Sequence, residues 1–327
     1  MRDDLVSLAD IEAAASRLAG VATATPLVPF PGGRLRVKAE SLQVTGSFKV
    51  RGAYNAISSL PAAGRDRGVI AHSSGNHAQA VAYAARLLDT PAVVVVPDNA
   101  PEVKVAAARR HGAEIVSVRP GLAARLAATE QLISSHGYTL IPPFDDRRVI
   151  AGQGTAGLEL AAAAPDTDLV VVPVSGGGLI SGIATAVRAR LPGTTVIGVE
   201  PELAADARDS LRRGRPVAWP AADTQRTIAD ALRVEQVSRL TLAHMRRHVA
   251  GIVTVTDDEM LQAVRLLATE AHLVAEPGGA AAVAACLLRG DALPPARAPV
   301  AVLSGGNIDP ALLARVLAPA GSGGRVP

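Results

Sequence analysis

A lysine in a turn of small residues is the first group in this chain that could bond covalently to a ligand. Lys49 follows Thr45–Phe48 and precedes Val50–Ala53, a run that reads as the start of a helix. An amine that is desolvated in such a turn has a lowered pKa, and its neutral form can attack a carbonyl carbon to give an imine. The motif alone leaves two interpretations open, an imine-forming amine and a solvated lysine at a helix start.

A glycine-rich segment, Ser175–Leu179, is the second candidate. It directly follows a run typical of a buried strand and opens a helical pattern. A backbone without side chains can approach an anion closely, and the free N–H groups of a helix N-terminus favour a phosphate. A tight turn between a strand and a helix would explain the same residues. The spacing matches neither the Walker phosphate loop nor the dinucleotide fingerprint.

Two further loops, Ser73–His77 and Ser304–Asn307, also combine glycine with polar side chains directly after apolar runs. Ligands of parallel sheets bind at the carboxyl ends of the strands, where such loops begin. The glycine-rich loops therefore predict one shared cleft.

The elements that would position these loops alternate between short β-rich runs and longer helical patterns. The predicted strands are Gly68–Ala71, Ala92–Val96, Ile115–Val118, Thr139–Ile141, Leu169–Val174, Thr195–Val199 and Pro299–Leu303. The predicted helices are Ala78–Leu88, Pro101–His111, Leu122–Ser135, Leu179–Ala189, Asp257–Glu270 and Gly279–Leu288. Such alternation is typical of parallel sheets with helices on both faces. The sequence therefore predicts an α/β fold of two open parallel-sheet domains with a cleft between them.

Composition excludes several classes of protein. The chain has 327 residues, of which 49% are hydrophobic and 19% charged, so it reads as globular rather than disordered. Aromatic residues make up only 2%, and the formal net charge of +3 comes without a basic cluster, which argues against a nucleic-acid partner. Pro173 and the glycines that follow it interrupt the one uncharged stretch long enough to cross a membrane, so we expect no membrane span.

The cellular compartment can be judged from two features. Met1–Asp10 lacks the basic and apolar regions of a signal peptide, and a single cysteine, Cys286, leaves no intrachain disulfide. We therefore expect a cytoplasmic protein. Cys286 lies in an apolar run and is predicted to be a buried, inert thiol.

Several strings of sequence resemble the serine/threonine dehydratase and serine racemase family, which are pyridoxal-phosphate (PLP) enzymes of fold type II. The two longest are Thr45–Ala53 and Ser73–Gln79. Shorter strings in the same order are Ile11-Glu12, Thr25–Leu27, Lys38–Gln43, Ala151–Thr155, Thr227–Asp230, Glu276-Pro277 and Ser304–Asn307. The resemblance runs nearly end to end and implies a fold similar to the tryptophan synthase β subunit, a PLP cofactor and a homodimer. The large domain would combine residues 1–53 with 145–327, and the small domain would be 54–144.

The resemblance also implies a role for each loop. Lys49 would carry the cofactor through an imine and then remove the α-proton of the substrate, Phe48 would pack on the cofactor ring, and Asn76 would hydrogen-bond its phenolic oxygen. The substrate carboxylate would be bound by the loop of Ser73, Ser74, Gly75, Asn76 and His77. The cofactor phosphate would be held by Ser175, Gly176, Gly177, Gly178 and Leu179, with serine at 175 where members of the family often have glycine.

Ser304 would face the pyridine nitrogen of the cofactor. A neutral hydroxyl does not keep that nitrogen protonated as a carboxylate would, so the ring is a weaker electron sink. Rapid β-elimination suits such a ring, and it would convert L-serine to pyruvate and L-threonine to 2-oxobutanoate, each with release of ammonia. The resemblance therefore favours a serine/threonine dehydratase.

Other activities remain open at this point. Ser74 matches the serine that protonates the second face of the α-carbon in racemases of the family, although a serine there could simply cap the following helix. The alternatives are a serine racemase with side dehydration, a dehydratase of another 3-hydroxy amino acid such as 3-hydroxyaspartate, and a protein that only binds amino acids. Intact Lys49, Asn76 and Ser304 argue against the last. The chain ends without the family's C-terminal amino-acid sensor, so we expect no feedback control by isoleucine.

One acidic loop resembles the family's divalent-cation site. Glu200 and Asp206 would bind the ion through carboxylates and Ala204 through its carbonyl, and such hard oxygen ligands fit a structural Mg²⁺ or Ca²⁺. A solvated acidic loop is the other interpretation. His244 and His248 share a helix face, but without the neighbouring glutamate of a zinc protease they predict only a surface helix.

Overall fold

The computed structural model of the chain describes residues 5–73, 75–100 and 102–318, and these form ten strands in two sheets. The strands are β1 (Leu27–Pro29), β2 (Arg36–Ala39), β3 (Val69–Ala71), β4 (Ala92–Pro97), β5 (Glu114–Val118), β6 (Thr139–Leu140), β7 (Leu169–Pro173), β8 (Thr195–Pro201), β9 (Gly251–Val255) and β10 (Pro299–Leu303). The helices are α1 (Leu8–Leu18), α2 (Lys49–Ser58), α3 (Ala62–Arg67), α4 (Asn76–Leu87), α5 (Glu102–Arg110), α6 (Leu122–His136), α7 (Arg147–Ala163), α8 (Gly178–Arg190), α9 (Asp206–Arg213), α10 (Ala221–Thr224), α11 (Arg239–His248), α12 (Asp257–Thr269), α13 (Pro277–Leu288) and α14 (Pro310–Leu317). Short 3-10 turns cover Glu40–Leu42, Asp230–Leu232 and Gly290–Ala292.

The larger sheet has the strand order β1-β2-β10-β7-β8-β9, and all neighbouring strands are parallel except β1 and β2. It is covered on both faces, because Val171 of β7 packs into the core that contains α13 while Val170 and Val172 pack into the core that contains α8. Its strands are therefore apolar runs rather than alternating ones. The carboxyl ends of β7 and β10 lead into Ser175–Leu179 and Ser304–Asn307.

The smaller sheet has the order β5-β4-β3-β6, and all its strands are parallel. Helices α2 and α4 supply the apolar side chains on one face of β3, and α6 packs on the other face. The carboxyl end of β3 leads into the loop before α4. The α/β fold with two parallel sheets is thus confirmed.

Seven of the ten described strands were predicted from the sequence. Each predicted strand and helix is present with its ends within two residues of the prediction. The prediction omitted β2, because Arg36 and Lys38 interrupt its apolar pattern, and also β1 and β9, which are short runs at the two edges of the larger sheet. The domain limits stay a prediction, and the predicted limit between 53 and 54 falls inside α2.

A buried cluster of charges joins the N-terminal segment to the helices beside the lysine turn. Arg51 of α2 is fully buried, and its guanidinium binds both carboxylate oxygens of Glu40 at 2.8 Å. The same guanidinium binds Glu159 of α7 at 2.6 and 2.8 Å, and Lys38 also reaches Glu159 at 2.5 Å. Buried charges persist only when they are paired and hydrogen-bonded, so this cluster fixes α2 against α7.

The prediction that His244 lies on a surface helix is wrong. Its ring is fully buried, and Nε2 accepts a hydrogen bond from the backbone N–H of Val6 at 2.9 Å. Nδ1 lies 2.9 Å from the carbonyl of Leu240, so this neutral ring carries its proton on Nδ1. Its face of α11 is turned inward because it holds the N-terminal segment. Cys286 is half-buried on α13, and burial raises the pKa of its thiol to about 12.

None of the helices in the described part of the chain combines the length and the apolarity that a membrane crossing needs.

Candidate functional site

Lys49 is the first residue of α2 and lies where the two sheets face each other. The turn before it is paired with the loop after β10, because the N–H of Phe48 donates to the carbonyl of Ser304 at 3.1 Å. The amine of Lys49 donates to the carbonyl of Pro143 at 2.9 Å and lies 5.1 Å from the centroid of the Phe48 ring. Burial lowers the pKa of this amine to about 8, although the negative charge of Glu276 opposes the shift. A substantial fraction of the amine is therefore neutral near pH 8.

Asn76 begins α4 and is tied to two residues of the larger-sheet side of the cleft. Its Nδ2 donates to Oε1 of Glu276 at 2.6 Å, and its Oδ1 accepts from Nδ2 of Asn307 at 2.7 Å. Glu276 is the residue directly before α13, and Asn307 follows the turn Ser304–Gly306. Asn76 and Ser304 are thus part of one hydrogen-bonded neighbourhood with Lys49.

The loop between β3 and α4 presents backbone donors into the same cleft. The hydroxyl of Ser73 accepts a long hydrogen bond from the N–H of Gly75 at 3.4 Å, and the space around the α-carbon of Gly75 is open. The first N–H groups of α4 have no partner inside the helix, which makes them donors for an anion. Ser74 lies outside the described residues.

The side chain of His77 points away from any ligand in this loop. It is buried, and Nε2 lies 2.8 Å from the carbonyl of Ile141. Burial and then the charge of Lys49 lower the pKa of this ring to about 3. His77 is therefore neutral, and only its backbone N–H is free to contribute to a binding loop.

The glycine-rich segment after β7 has the backbone geometry of a strand-to-helix turn that can admit a ligand. Gly177 has a φ of +87°, and α8 begins at Gly178. A Cβ placed on Gly176 would lie 2.2 Å from the ring of Phe144, so only glycine fits below that ring. Phe144 follows Pro143, whose carbonyl binds Lys49, so Ser175–Leu179 and the amine lie on either side of one short segment.

A second cluster of ionisable groups lies at the end of β8. Glu200 is fully buried and accepts from the N–H groups of Ala207 and Arg208 at 2.9 and 2.8 Å. Burial and the neighbouring Asp206 raise the pKa of Glu200 well above its usual value, and burial raises the pKa of Asp206 to about 7. Oδ2 of Asp206 is buried without a hydrogen-bond partner among the described residues. Ala204 is buried beside them, and the described residues contain no group of three His, Cys, Asp or Glu that could hold a metal.

The cleft contains three groups to which the sequence analysis gave no role: the carbonyl of Pro143, the carboxylate of Glu276 and the amide of Asn307. Signals for the latter two existed, because Glu276 precedes the apolar run of α13 and Asn307 ends a glycine turn after a strand. Their pairing with Asn76 could not be read from the chain, since it spans 200 and 231 residues.

Comparison with known proteins gives consistent results across the chain. A family model described as pyridoxal-phosphate dependent enzyme matches residues 18–305. The chain is 42% identical over 278 residues to an L-threo-3-hydroxyaspartate ammonia-lyase of Saccharomyces cerevisiae, which covers 85% of this chain and 84% of that protein. The crystal structure of a threonine deaminase from T.th. is 46% identical with a TM-score of 0.87 and covers 93% of this chain and 99% of its own. Maize serine racemase is 34% identical with a TM-score of 0.91 and covers 95% and 96%.

Proposed function

Because the chain belongs to the pyridoxal-phosphate-dependent enzyme family, we propose that it is an ammonia-lyase that converts L-threonine or L-serine to a 2-keto acid and ammonia. The proposal is supported by ammonia-lyases and a threonine deaminase among its relatives. The observation that carries the proposal is the amine of Lys49, whose pKa is lowered to about 8 in a cleft with backbone donors on both sides. Threonine would give 2-oxobutanoate, and serine would give pyruvate.

The residues of the cleft fit the cofactor. When bound, pyridoxal phosphate supplies an aldehyde for the amine of Lys49 and an electron-withdrawing ring beside the reacting carbon. Gly176–Gly178, with the left-handed backbone of Gly177, and the N-terminus of α8 offer N–H groups for its phosphate. The buried Ser304 offers an uncharged hydroxyl for the pyridine nitrogen.

The chain itself would bind and orient the substrate and move its protons. The N–H groups in the first turn of α4, which have no partner inside the helix, would hold the substrate carboxylate and so fix the α-carbon in place. Lys49, once its amine is neutral, removes the α-proton and can return it to the departing hydroxyl oxygen, which leaves as water. Hydrolysis of the dehydrated product then consumes one water, which balances the water released. The net products are one keto acid and one ammonia.

The test is a paired assay on purified protein supplied with PLP. L-serine and L-threonine are offered separately, keto acid is followed by coupled absorbance, and D-serine is followed by chiral chromatography. Keto acid from either substrate with little D-serine is the expected result. D-serine formed as fast as pyruvate would instead indicate the racemase alternative and assign a second proton-transfer group to Ser74. Neither product, in a protein that binds PLP, would refute both substrates.

A second substrate, L-threo-3-hydroxyaspartate, is favoured by one arginine. Arg125 is half-buried in the first turn of α6, and α6 begins at the same edge of the sheet as the loop after β3. Burial and then the charge of Arg125 lower the pKa of His72, the residue that starts that loop. Burial lowers the pKa of Arg125 itself, and the charge of Glu235 opposes this shift. A cation whose charge acts on the first residue of the substrate loop would suit a second carboxylate on the substrate.

Arg125→Gln tests this second candidate. If Arg125 binds the distal carboxylate, kcat/KM for L-threo-3-hydroxyaspartate falls about ten- to hundredfold, because one charge-assisted hydrogen bond is lost, while kcat/KM for L-threonine changes little. Arg119→Gln, at an exposed position in the loop before α6, is the matched control for the loss of charge. Equal losses for both substrates would rule out a role in substrate choice.

We further propose that Glu200, Asp206 and the carbonyl of Ala204 bind a structural Mg²⁺ or Ca²⁺. The buried, unpartnered Oδ2 of Asp206 and the raised pKa of Glu200 both indicate carboxylates that lack a counter-charge. A cation at one hundred times its Kd would add about 2.7 kcal/mol to the free energy of unfolding. The thermal midpoint should therefore rise with either ion in wild type but not in Asp206→Asn. Glu202→Gln, in the same loop but exposed, should keep the response.

A homodimer is also part of the proposal. Its support is a set of exposed apolar side chains, Leu42, Val44 and Val274, on two loops that meet beside Gly306. Large apolar side chains that are exposed near one another favour association with another protein surface. Light scattering coupled to size-exclusion chromatography measures the oligomeric state. A monomer at assay concentration would exclude the homodimer.

A further inference from the structure

Three amide and carboxylate side chains form a directed chain of hydrogen bonds across the cleft. The carbonyl of Thr45 can only accept, so the atom of Asn307 that lies 2.9 Å from it is the donor Nδ2. The same Nδ2 lies 2.7 Å from the side chain of Asn76, which must therefore present Oδ1. The opposite end of that amide, Nδ2, then lies 2.6 Å from Oε1 of Glu276, which accepts. A reversed Asn76 would place two donors together at one end and two acceptors together at the other.

The three members come from different parts of the fold. Asn307 follows β10, Glu276 directly precedes α13, and Asn76 starts α4 on the smaller-sheet side. Asn307 also approaches Gln79, one turn along α4, at 3.5 Å. The orientation of the Asn76 amide is thus set from the opposite wall of the cleft.

Two glycines leave the space that the hydrogen-bonded side chains occupy. A Cβ on Gly46, whose φ is +70°, would lie 2.3 Å from Oδ1 of Asn307. A Cβ on Gly305 would lie 2.4 Å from Oε1 of Glu276 and 3.3 Å from Nδ2 of Asn76. Any other residue at either position would displace one of the hydrogen-bonded side chains. The backbone at these two glycines therefore supports the hydrogen-bond arrangement that the side chains form.

We propose that Asn307 is a positioning residue that holds the amide of Asn76 with its NH₂ group toward Glu276 and the cofactor. The inference rests on the proposed function, because the NH₂ group has one hydrogen for Glu276 and a second that is available for an oxygen of the bound cofactor ring. Asn307 acts through Asn76 and need not touch the cofactor.

The donor-to-acceptor direction of these hydrogen bonds can be tested separately from a simple loss of contacts. Asn307→Asp keeps the size of the side chain but replaces the donor with acceptors, so it favours the reversed Asn76 amide and turns an oxygen toward the cofactor. Asn307→Ala removes the donor without imposing the reversal. We expect the Kd for PLP, titrated by absorbance, to rise at least about tenfold in Asn307→Asp and less in Asn307→Ala, with a shift of the visible band in the former. Gln79→Leu, which removes only the long contact, should behave as wild type.

The thermal midpoint of each cofactor-free variant provides the structural readout. Wild-type affinity and an unchanged band in Asn307→Asp would overturn the proposal. The proposal would also be overturned if Asn307→Asp and Asn307→Ala lost equal affinity for PLP and their losses matched the decreases in their thermal midpoints. If wild type binds PLP but releases no keto acid, the proposed reaction is refuted. The Kd values for PLP of wild type, Asn307→Asp and Asn307→Ala would still test the positioning role of Asn307.

Discussion

At the scale of single residues, burial rather than a strong ion pair controls the reactivity of Lys49. Its amine donates to the carbonyl of Pro143, which is uncharged, and the one carboxylate that influences its pKa is Glu276. A neighbouring carboxylate at contact distance would have raised this pKa and left far less neutral amine near pH 8. The cleft instead leaves a substantial fraction of the amine neutral near that pH.

The first prediction concerns the pH at which this amine reacts. The rate at which cofactor-free protein takes up PLP, followed by the visible absorbance of the adduct, should rise with pH and level off above about 8, because the neutral amine is the nucleophile. Lys49→Arg should show no such band at any pH. A rate that keeps rising beyond pH 10, as for a solvated lysine, would contradict the lowered pKa.

Part of this site could be predicted from residue types, whereas the residues whose roles depend on distant partners could not. Lys49 and the glycines after β7 could be singled out by residue type, but two interpretations of each stayed open until strings such as Thr45–Ala53 indicated the family. Asn307 and Glu276 could not be assigned, because an asparagine or a glutamate has a role only through the partner it meets. The burial of His244 was missed for the same reason, since its partner is a backbone N–H at the other end of the chain.

At the scale of elements, the buried charge cluster is the strongest constraint on α2. Glu40→Gln keeps the shape of the side chain but removes the charge opposite Arg51, and it should lower the free energy of unfolding by about 3 kcal/mol. Denaturant titration measures this. Glu102→Gln removes the exposed partner of Arg109 and should cost less than about 1 kcal/mol. Similar costs for the two would mean that Glu159 alone satisfies Arg51.

The crossing of α7 and α8 is set by glycine. A Cβ on Gly182 would lie 2.4 Å from the carbonyl oxygen of Ile150 and 2.5 Å from the nitrogen of Gly154, so the two backbones touch there. Gly182→Ala should therefore lower the free energy of unfolding by about 1–3 kcal/mol despite the better helix propensity of alanine. Gly193→Ala, where the added methyl meets nothing within 4 Å, is the control. An unchanged denaturation midpoint in Gly182→Ala would show that the helices can separate freely.

At the scale of the whole molecule, stability should fall as the pH drops below about 6.5. Burial lowers the pKa of His244, of His248 to about 4 and of His77 to about 3, from an ordinary value of 6.5. The unfolded chain then binds more protons than the folded one in this range, so the free energy of unfolding decreases with falling pH. The carboxyls of Glu200 and Asp206, with raised pKa values, act in the opposite direction, but they are outnumbered because burial also lowers the pKa of His72 and His111.

Urea titrations at pH 7.0 and 5.5 test this prediction. Wild type should unfold at lower urea at pH 5.5. His244→Gln, which can still accept from the N–H of Val6 but does not titrate, should show a smaller difference between the two values. An identical difference in both proteins would assign the effect to other groups.

The strand order of the larger sheet has a consequence for how the protein is made. Strand β2 pairs with β10 across more than 250 intervening positions, and beyond β10 it has only the three-residue β1 as a neighbour. On the ribosome, β3 to β6 can assemble as soon as residue 140 has emerged, whereas β2 must wait until residue 303 is synthesised. The N–H of Phe48 finds the carbonyl of Ser304 at the same moment. The turn that carries Lys49 is therefore completed after the smaller sheet rather than together with it.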